Sequence, residues 1–172
     1  MALTVIATAG AANANSYITV AEADAFMAQN FYAAAWEDVE ADAKAQLVIT
    51  ATRMLDEQYE WLGIINSTTQ ALRWPRGWVL DRDGAKYLDS TTIPTFLKNA
   101  TAEMARMLSL KDRQQTLDDA TSGITSVTAG SVSVEFDKTD RIEVVPSSVE
   151  AMVRPYCTLG VYGKGSVPLV RV

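Results

Sequence analysis

The sequence contains no histidine and a single cysteine, Cys157. Without histidine, the usual zinc sites and the usual general base are both missing. One cysteine excludes an intrachain disulfide, and with no imidazole to activate it Cys157 reads as a small buried apolar residue rather than a nucleophile. Long apolar runs are absent too: nothing approaches the ~18 residues that a membrane span requires, so a soluble chain is expected. Residues 1–14 are small and apolar but carry no Lys or Arg at their start, which argues against a secretory leader. Cations are scarce early in the chain. Residues 1–60 hold nine acids against Lys44 and Arg53, a local balance of −7 within a total of −6. A protein gripping phosphates over a broad face would need the opposite balance.

What is present has the make-up of one folded domain spanning 1–172, with 48% hydrophobic and 21% charged residues. The patterning predicts a mainly α fold, a small bundle of about four helices with a core over residues 17–110, a projecting β-hairpin and extended terminal arms. Leu3-Thr4-Val5-Ile6-Ala7 is β-branched enough for a short strand that needs an edge to pair with. Thr19 and Glu22 form a capping box, so the first helix starts near Val20 and turns Val20, Ala23, Met27 and Phe31 to one face. A second start follows Trp36 at Glu37-Asp38, with Glu40 and Asp42 where the helix dipole favours acids. Apolar residues then recur at helical spacing from Leu47 through Tyr59 and Leu62 to Gly63. Thr92-Ile93-Pro94 opens a third helix with Leu97, Ala100, Met104, Met107 and Leu108 as its buried stripe.

Beyond it, residues 111–122 read as a polar linker, and 123–137 as a hairpin of period two around Ala129-Gly130. Residues 147–159 read as a last helix, Ser147 and Glu150 forming its capping box and Pro155 kinking or ending it. The arm 160–172 is apolar and glycine-punctuated. Free termini fray unless something holds them, so Val167, Pro168, Leu169, Val170, Arg171 and Val172 are read as anchors on a neighbouring subunit or a larger partner.

Between the second and third helices lies Gln70-Ala71-Leu72-Arg73-Trp74-Pro75-Arg76-Gly77-Trp78, running into Asp81-Arg82-Asp83-Gly84. Trp74 precedes a proline and is pushed towards extended backbone, so its indole leaves the chain sideways, into a pocket lidded by Tyr59, Trp61 and Leu62. Asp83-Gly84 reads as a tight turn, with an ion pair between Arg82 and its flanking acids. Trp74, Pro75, Arg76, Trp78 and Arg82 therefore form either an aromatic plug on the bundle, with Arg76 and Arg82 at a subunit seam, or a ligand-reading loop.

Chemistry is sparse. Gly163-Lys164-Gly165-Ser166 lacks the spacing of a phosphate loop, and Asp81 and Asp83 lack the remaining ligands of a calcium loop. No catalytic residue, cofactor site or metal site is expected.

Asn15-Ser16-Tyr17, Trp36, Ala51-Thr52-Arg53-Met54-Leu55-Asp56, Trp61-Leu62-Gly63, Gln70 to Arg76, Asp81-Arg82-Asp83-Gly84 and Ile93-Pro94 together resemble a family of tailed-phage virion proteins. These are head-completion or head-to-tail adaptor subunits, some carrying a DnaT-like single-strand-binding label. The resemblance is broad over residues 13–110, less specific at Ser133 to Asp137, and weak before 13 and beyond 145.

It implies a helical subunit repeated in a ring, commonly of twelve copies, docked on the portal protein and joined distally to a neck or tail protein. Double-stranded DNA would pass through the lumen without specific binding, and the protein would lie in the virion neck after assembly in the host cytoplasm. Surplus negative charge suits such a conduit. The rival reading is a single-stranded nucleic-acid-binding module that uses Arg73, Trp74, Arg76, Trp78 and Arg82 as a stacking and charge platform.

Overall fold

The computed structural model describes residues 3–110, 126–129, 132–135 and 144–159. The first helix, α1 (Val20–Met27), begins where the capping box placed it. The Thr19 hydroxyl accepts the Glu22 N–H while the Glu22 carboxylate accepts the Thr19 N–H at 2.8 Å. Ala23 and Met27 are buried, but the helix ends before Phe31, whose ring is 92% exposed and not on the core face.

A short helix, α2 (Ala34–Glu37), follows. It encloses Trp36, whose indole N–H donates to Asp24 at 2.8 Å. Glu37-Asp38 is therefore the end of α2 rather than a helix start, and the long α3 runs over Ala41–Gln58. Ala45, Val48, Ala51, Thr52, Met54 and Leu55 are its buried face.

The helical pattern read through to Gly63 stops at Gln58. Tyr59–Trp61 is a strand, β1, paired antiparallel with β6 (Cys157–Leu159). Tyr59 and Trp61 are buried with Glu60 exposed between them, a period of two that fits a strand as well as a helix end. The deciding partner lies far along the chain.

Helix α4 (Thr95–Leu110) follows Pro94, whose carbonyl accepts the N–H groups of Leu97 and Lys98. It is the centre of the bundle and packs against α3, α1 and α5 (Ser147–Val153). Of the expected stripe, Leu97, Ala100 and Met104 are buried and Met107 and Leu108 only half-buried, while Ala102, Glu103 and Ala105 are buried as well because helices cover more than one side. The buried Glu103 is neutralised by a two-pronged pair with Arg106 at 2.7 and 2.9 Å.

Pro146, not Ser147, occupies the cap position of α5, and no side chain caps it. Val153 ends the helix, and a 3₁₀ turn over Arg154–Tyr156 carries Pro155 and leads into β6. The last helix is thus shorter than 147–159.

Residues 3–7 do not form a strand. Asn15 clasps Ile6 instead: its side-chain oxygen accepts the Ile6 N–H at 2.7 Å and its own N–H donates back to the Ile6 carbonyl at 3.0 Å. The hairpin is present as β4 (Ser126–Ala129) against β5 (Val132–Glu135), with Val127 opposite Val134. The linker 111–122 and the arm 160–172, with its proposed anchors Val167 to Val172, lie outside the described residues. The architecture is mainly helical with small antiparallel strand pairs.

Candidate interaction site

The aromatic loop divides into a buried half and an exposed half. Trp74 is 1% exposed and joined to Pro75 by a cis peptide bond. Its ring meets Trp61 edge-on at 5.8 Å and Phe96 edge-on at 5.6 Å, and Phe96 stacks on Tyr156 at 3.7 Å. Trp61 is thus part of the pocket, whereas Leu62 is largely exposed. Trp74 and Pro75 are core.

Arg76 is held by the fold through its guanidinium, and the exposed Arg73 through its backbone alone. The Arg73 N–H donates to Asp56 at 3.2 Å. The Arg76 guanidinium donates to the carbonyls of Leu62 and Gly63, both at 2.7 Å, and to Arg73 at 3.3 Å. It closes the loop as a brace over β2 (Ile64–Ile65) and β3 (Arg76–Gly77), which pair antiparallel. Burial and the neighbouring Arg73 charge depress the Arg76 pKa below the usual guanidinium value.

Gly63 makes this hairpin possible. Its φ is +76°, and a Cβ there would lie 2.3 Å from the Gly77 carbonyl oxygen and 2.5 Å from a Val79 methyl. Gly63→Ala is therefore expected to lower stability by roughly 2–3 kcal/mol through left-handed strain and the clash with backbone. Thermal unfolding of the variant measures it; a loss under about 0.5 kcal/mol would show that β2 and β3 separate freely.

Past this brace the loop turns outward. Trp78 is 72% exposed, so it is not part of a plug, and its φ of 63° holds it in the left-handed region that bulky residues seldom occupy. It meets Tyr87, itself 59% exposed, edge-on at 5.5 Å. Ile64, Ile65, Gly77 and Leu88 complete a shallow groove of about 330 Å³ beside these rings.

Tyr87 is delivered by the expected turn. Gly84 at φ +69° bonds back to Asp81, and the Asp81 N–H donates to the Lys86 carbonyl. The Asp81 carboxylate accepts the Ala85 N–H at 2.8 Å. Among the described residues Arg82 has no ion pair, contrary to the internal pair expected of it, and both Arg82 and Lys86 are exposed.

Asp56 joins the loop to the bundle. It lies in the last turn of α3 and accepts from the Tyr17 hydroxyl at 2.5 Å, the Trp61 indole at 3.0 Å and Arg73. Burial raises its carboxyl above the ordinary range despite those donors, and burial beside Asp56 raises the Tyr17 hydroxyl well above its own. The phenol therefore keeps its proton and acts as donor. Nothing in the sequence pattern marked Asp56 for this role.

Cys157 is half-buried, and burial raises its thiol to about 11. That value makes it a poor nucleophile at neutral pH. No three His, Cys, Asp or Glu side chains converge as a metal site among the described residues, and no helix among them is long and apolar enough to cross a membrane.

The geometry therefore separates residues that the sequence had grouped. Trp74, Pro75 and Arg76 build the loop, while Arg73, bonded only through its backbone, is exposed together with Trp78, Tyr87, Arg82 and Lys86. Ile64, Ile65 and Tyr87 had drawn no attention as site residues; an apolar pair next to Gly63 and an aromatic just after a tight turn were the available signals. No curated protein and no solved structure matches the chain. A family model described as "Putative DnaT-like ssDNA binding protein" matches residues 1–172, and the chain belongs to that family.

Proposed function

We propose that this chain is a non-enzymatic assembly subunit of a tailed-phage neck, a wall segment between portal and tail that works by docking to other proteins. The observation that carries this reading is the exposed apolar surface of Ile64, Ile65, Trp78 and Tyr87, held on a braced hairpin. Contiguous apolar surface with aromatic anchors on a rigid support is the usual mark of a protein-docking site. The net charge of −6 supports it, since a conduit wall must not hold the nucleic acid that slides past. Resemblance to the head-to-tail adaptors supplies the portal and the distal neck protein as partners.

A second reading is favoured by the family's description and by the exposed rings of Trp78 and Tyr87 on a loop that also carries the exposed Arg73, Arg82 and Lys86: a single-stranded DNA-binding module. Bases stack on exposed aromatics, and the exposed cations of the same loop would follow the backbone. Of the other platform residues first named, Trp74 and Arg76 are engaged inside the fold, whereas Arg73 is bonded through its backbone and is exposed.

One variant tests both. Trp78→Ala removes the exposed indole without opening the core, so its circular dichroism should match the parent. On the docking reading it fails to co-sediment with portal rings, and neither protein binds a labelled single-stranded oligonucleotide. Micromolar binding by the parent with a steep salt slope, lost in Trp78→Ala, would overturn docking in favour of the second reading.

A further inference from the structure

The apolar surface beside Trp78 extends past its groove. Leu62, Ile64, Ile65, Trp78, Leu80 and Tyr87, all on the connection between β1 and α4, are large hydrophobic residues that the other described residues leave exposed. An apolar segment tethered nearby would find a seat there.

The chain carries such a segment, Val167-Pro168-Leu169-Val170, and β6 delivers it. Leu159, the last residue of β6, pairs with Tyr59, and at the other end of this ladder the Leu62 N–H donates to the Tyr156 carbonyl at 3.0 Å. The Cα path from Tyr59 to Ile64 is at most ~19 Å, and the step across the ladder adds about 5 Å. From Leu159 an extended chain spans about 26 Å by Val167 and about 36 Å by Val170, so this run reaches the groove of its own chain.

Strand β6 is antiparallel to β1 and heads away from the groove, so the arm has to reverse. Gly160, Gly163 and Gly165 lie where that reversal falls, and glycine accepts turn dihedrals without steric cost. Charge does not oppose the approach: residues 160–172 carry Lys164, Arg171 and no acid, while Asp81, Asp83 and Asp89 outnumber Arg82 and Lys86 over 78–90. The hollow beside Phe31 and Tyr32 suits this run less. It is lined in part by the Glu22–Lys98 ion pair and the amides of Gln29, Asn30 and Asn99, which an apolar run would cover without bonding.

We propose that Val167 to Val170 seat in the Ile64, Ile65, Trp78 and Tyr87 groove of the same chain, so that the arm caps the docking surface until a partner displaces it. This rests on the docking reading above and adds its regulation. A short flexible tether gives the arm an effective concentration of order mM, so even a weak contact keeps the surface closed. A partner then binds with an apparent affinity reduced to the uncapped fraction.

Trp78 reports on the cap. Trp36, Trp61 and Trp74 are each no more than 6% exposed, so quenching of fluorescence by succinimide, a neutral polar quencher, reads Trp78. The double variant Val167→Asp/Leu169→Asp, with the circular dichroism and melting of the parent, should be quenched about twice as strongly as the parent, and dilution from about 50 to 0.5 μM should change neither value. Equal quenching overturns the cap. Protection of the parent that fades on dilution also overturns it, and assigns the arm to another copy. As an independent check, Ile65→Cys with Leu169→Cys, in a Cys157→Ser background, should close an intramolecular disulfide in dilute oxidised protein; failure to close overturns the cap as well. Portal rings separate this result from the docking reading. They should bind the double variant several-fold more tightly than the parent. Equal quenching and equal portal binding, lost in Trp78→Ala, would leave docking standing without a cap. Stronger quenching of the double variant with no portal binding by either protein would leave the cap and remove docking.

Discussion

Trp74→Ala lowers the stability of the folded chain by about 3–5 kcal/mol, the range for removing a large aromatic from a closed core. The indole is 1% exposed and meets two rings edge-on, Trp61 from β1 and Phe96 from α4. Its removal leaves a cavity that neither neighbour can fill without leaving its own partner, since Phe96 is stacked on Tyr156. One feature reduces the cost: the indole N–H is buried with no acceptor among the described residues. Alanine removes that unsatisfied donor together with the ring. Trp74→Phe therefore should lose much less, about 1–2 kcal/mol, because it keeps most of the packing and sheds the orphan donor. Urea unfolding of both variants, with slopes equal to the parent, is the measurement. A loss under about 1 kcal/mol for Trp74→Ala would mean that the ring is not a structural element and would return it to the solvent-facing platform.

How far the sequence disclosed this arrangement depends on the reach of the interaction concerned. The α1 cap was legible because Thr19 and Glu22 are three residues apart and satisfy each other. The stripe of α4 and the turn at Gly84 were equally local. Trp74 was recognisable as a buried ring because the proline after it restricts its backbone and leaves the indole few directions. Trp78, four residues on, has the same side chain and the opposite fate, and only the Arg76 brace and the Gly63 crossing determine that. Those contacts join separate segments and leave no periodic trace. The end of α3 failed for the same reason. Tyr59-Glu60-Trp61 continues a helical pattern on paper, and the β6 strand that draws it out of the helix is distant in sequence.

Asp56 is the plainest case of a residue whose importance has no local signature, and its removal is the second large effect expected. Asp56→Ala strips the acceptor from the Tyr17 hydroxyl, the Trp61 indole and the Arg73 amide at once. Leaving a buried donor unsatisfied costs about 1–3 kcal/mol, and some of the three will find water, so a total near 3–5 kcal/mol is expected. Asp56→Asn separates shape from charge. Its oxygen can still serve Tyr17 and Trp61, but its amide then confronts the Arg73 N–H, donor against donor, and the loss should be intermediate. The two also differ with pH. In the unfolded chain Asp56 titrates at an ordinary carboxylate value, whereas in the fold burial raises it. Between those two values the folded state binds more protons than the unfolded one. This group's contribution to stability is therefore fullest below the window and falls as pH rises through it. Asparagine has no such step, so the gap between parent and Asp56→Asn should be widest at acid pH and narrow as the carboxylate ionises. Denaturation curves for the pair across the acid range test this. A gap that widens with rising pH would show that the three donors outweigh burial and hold the carboxyl below its ordinary value instead.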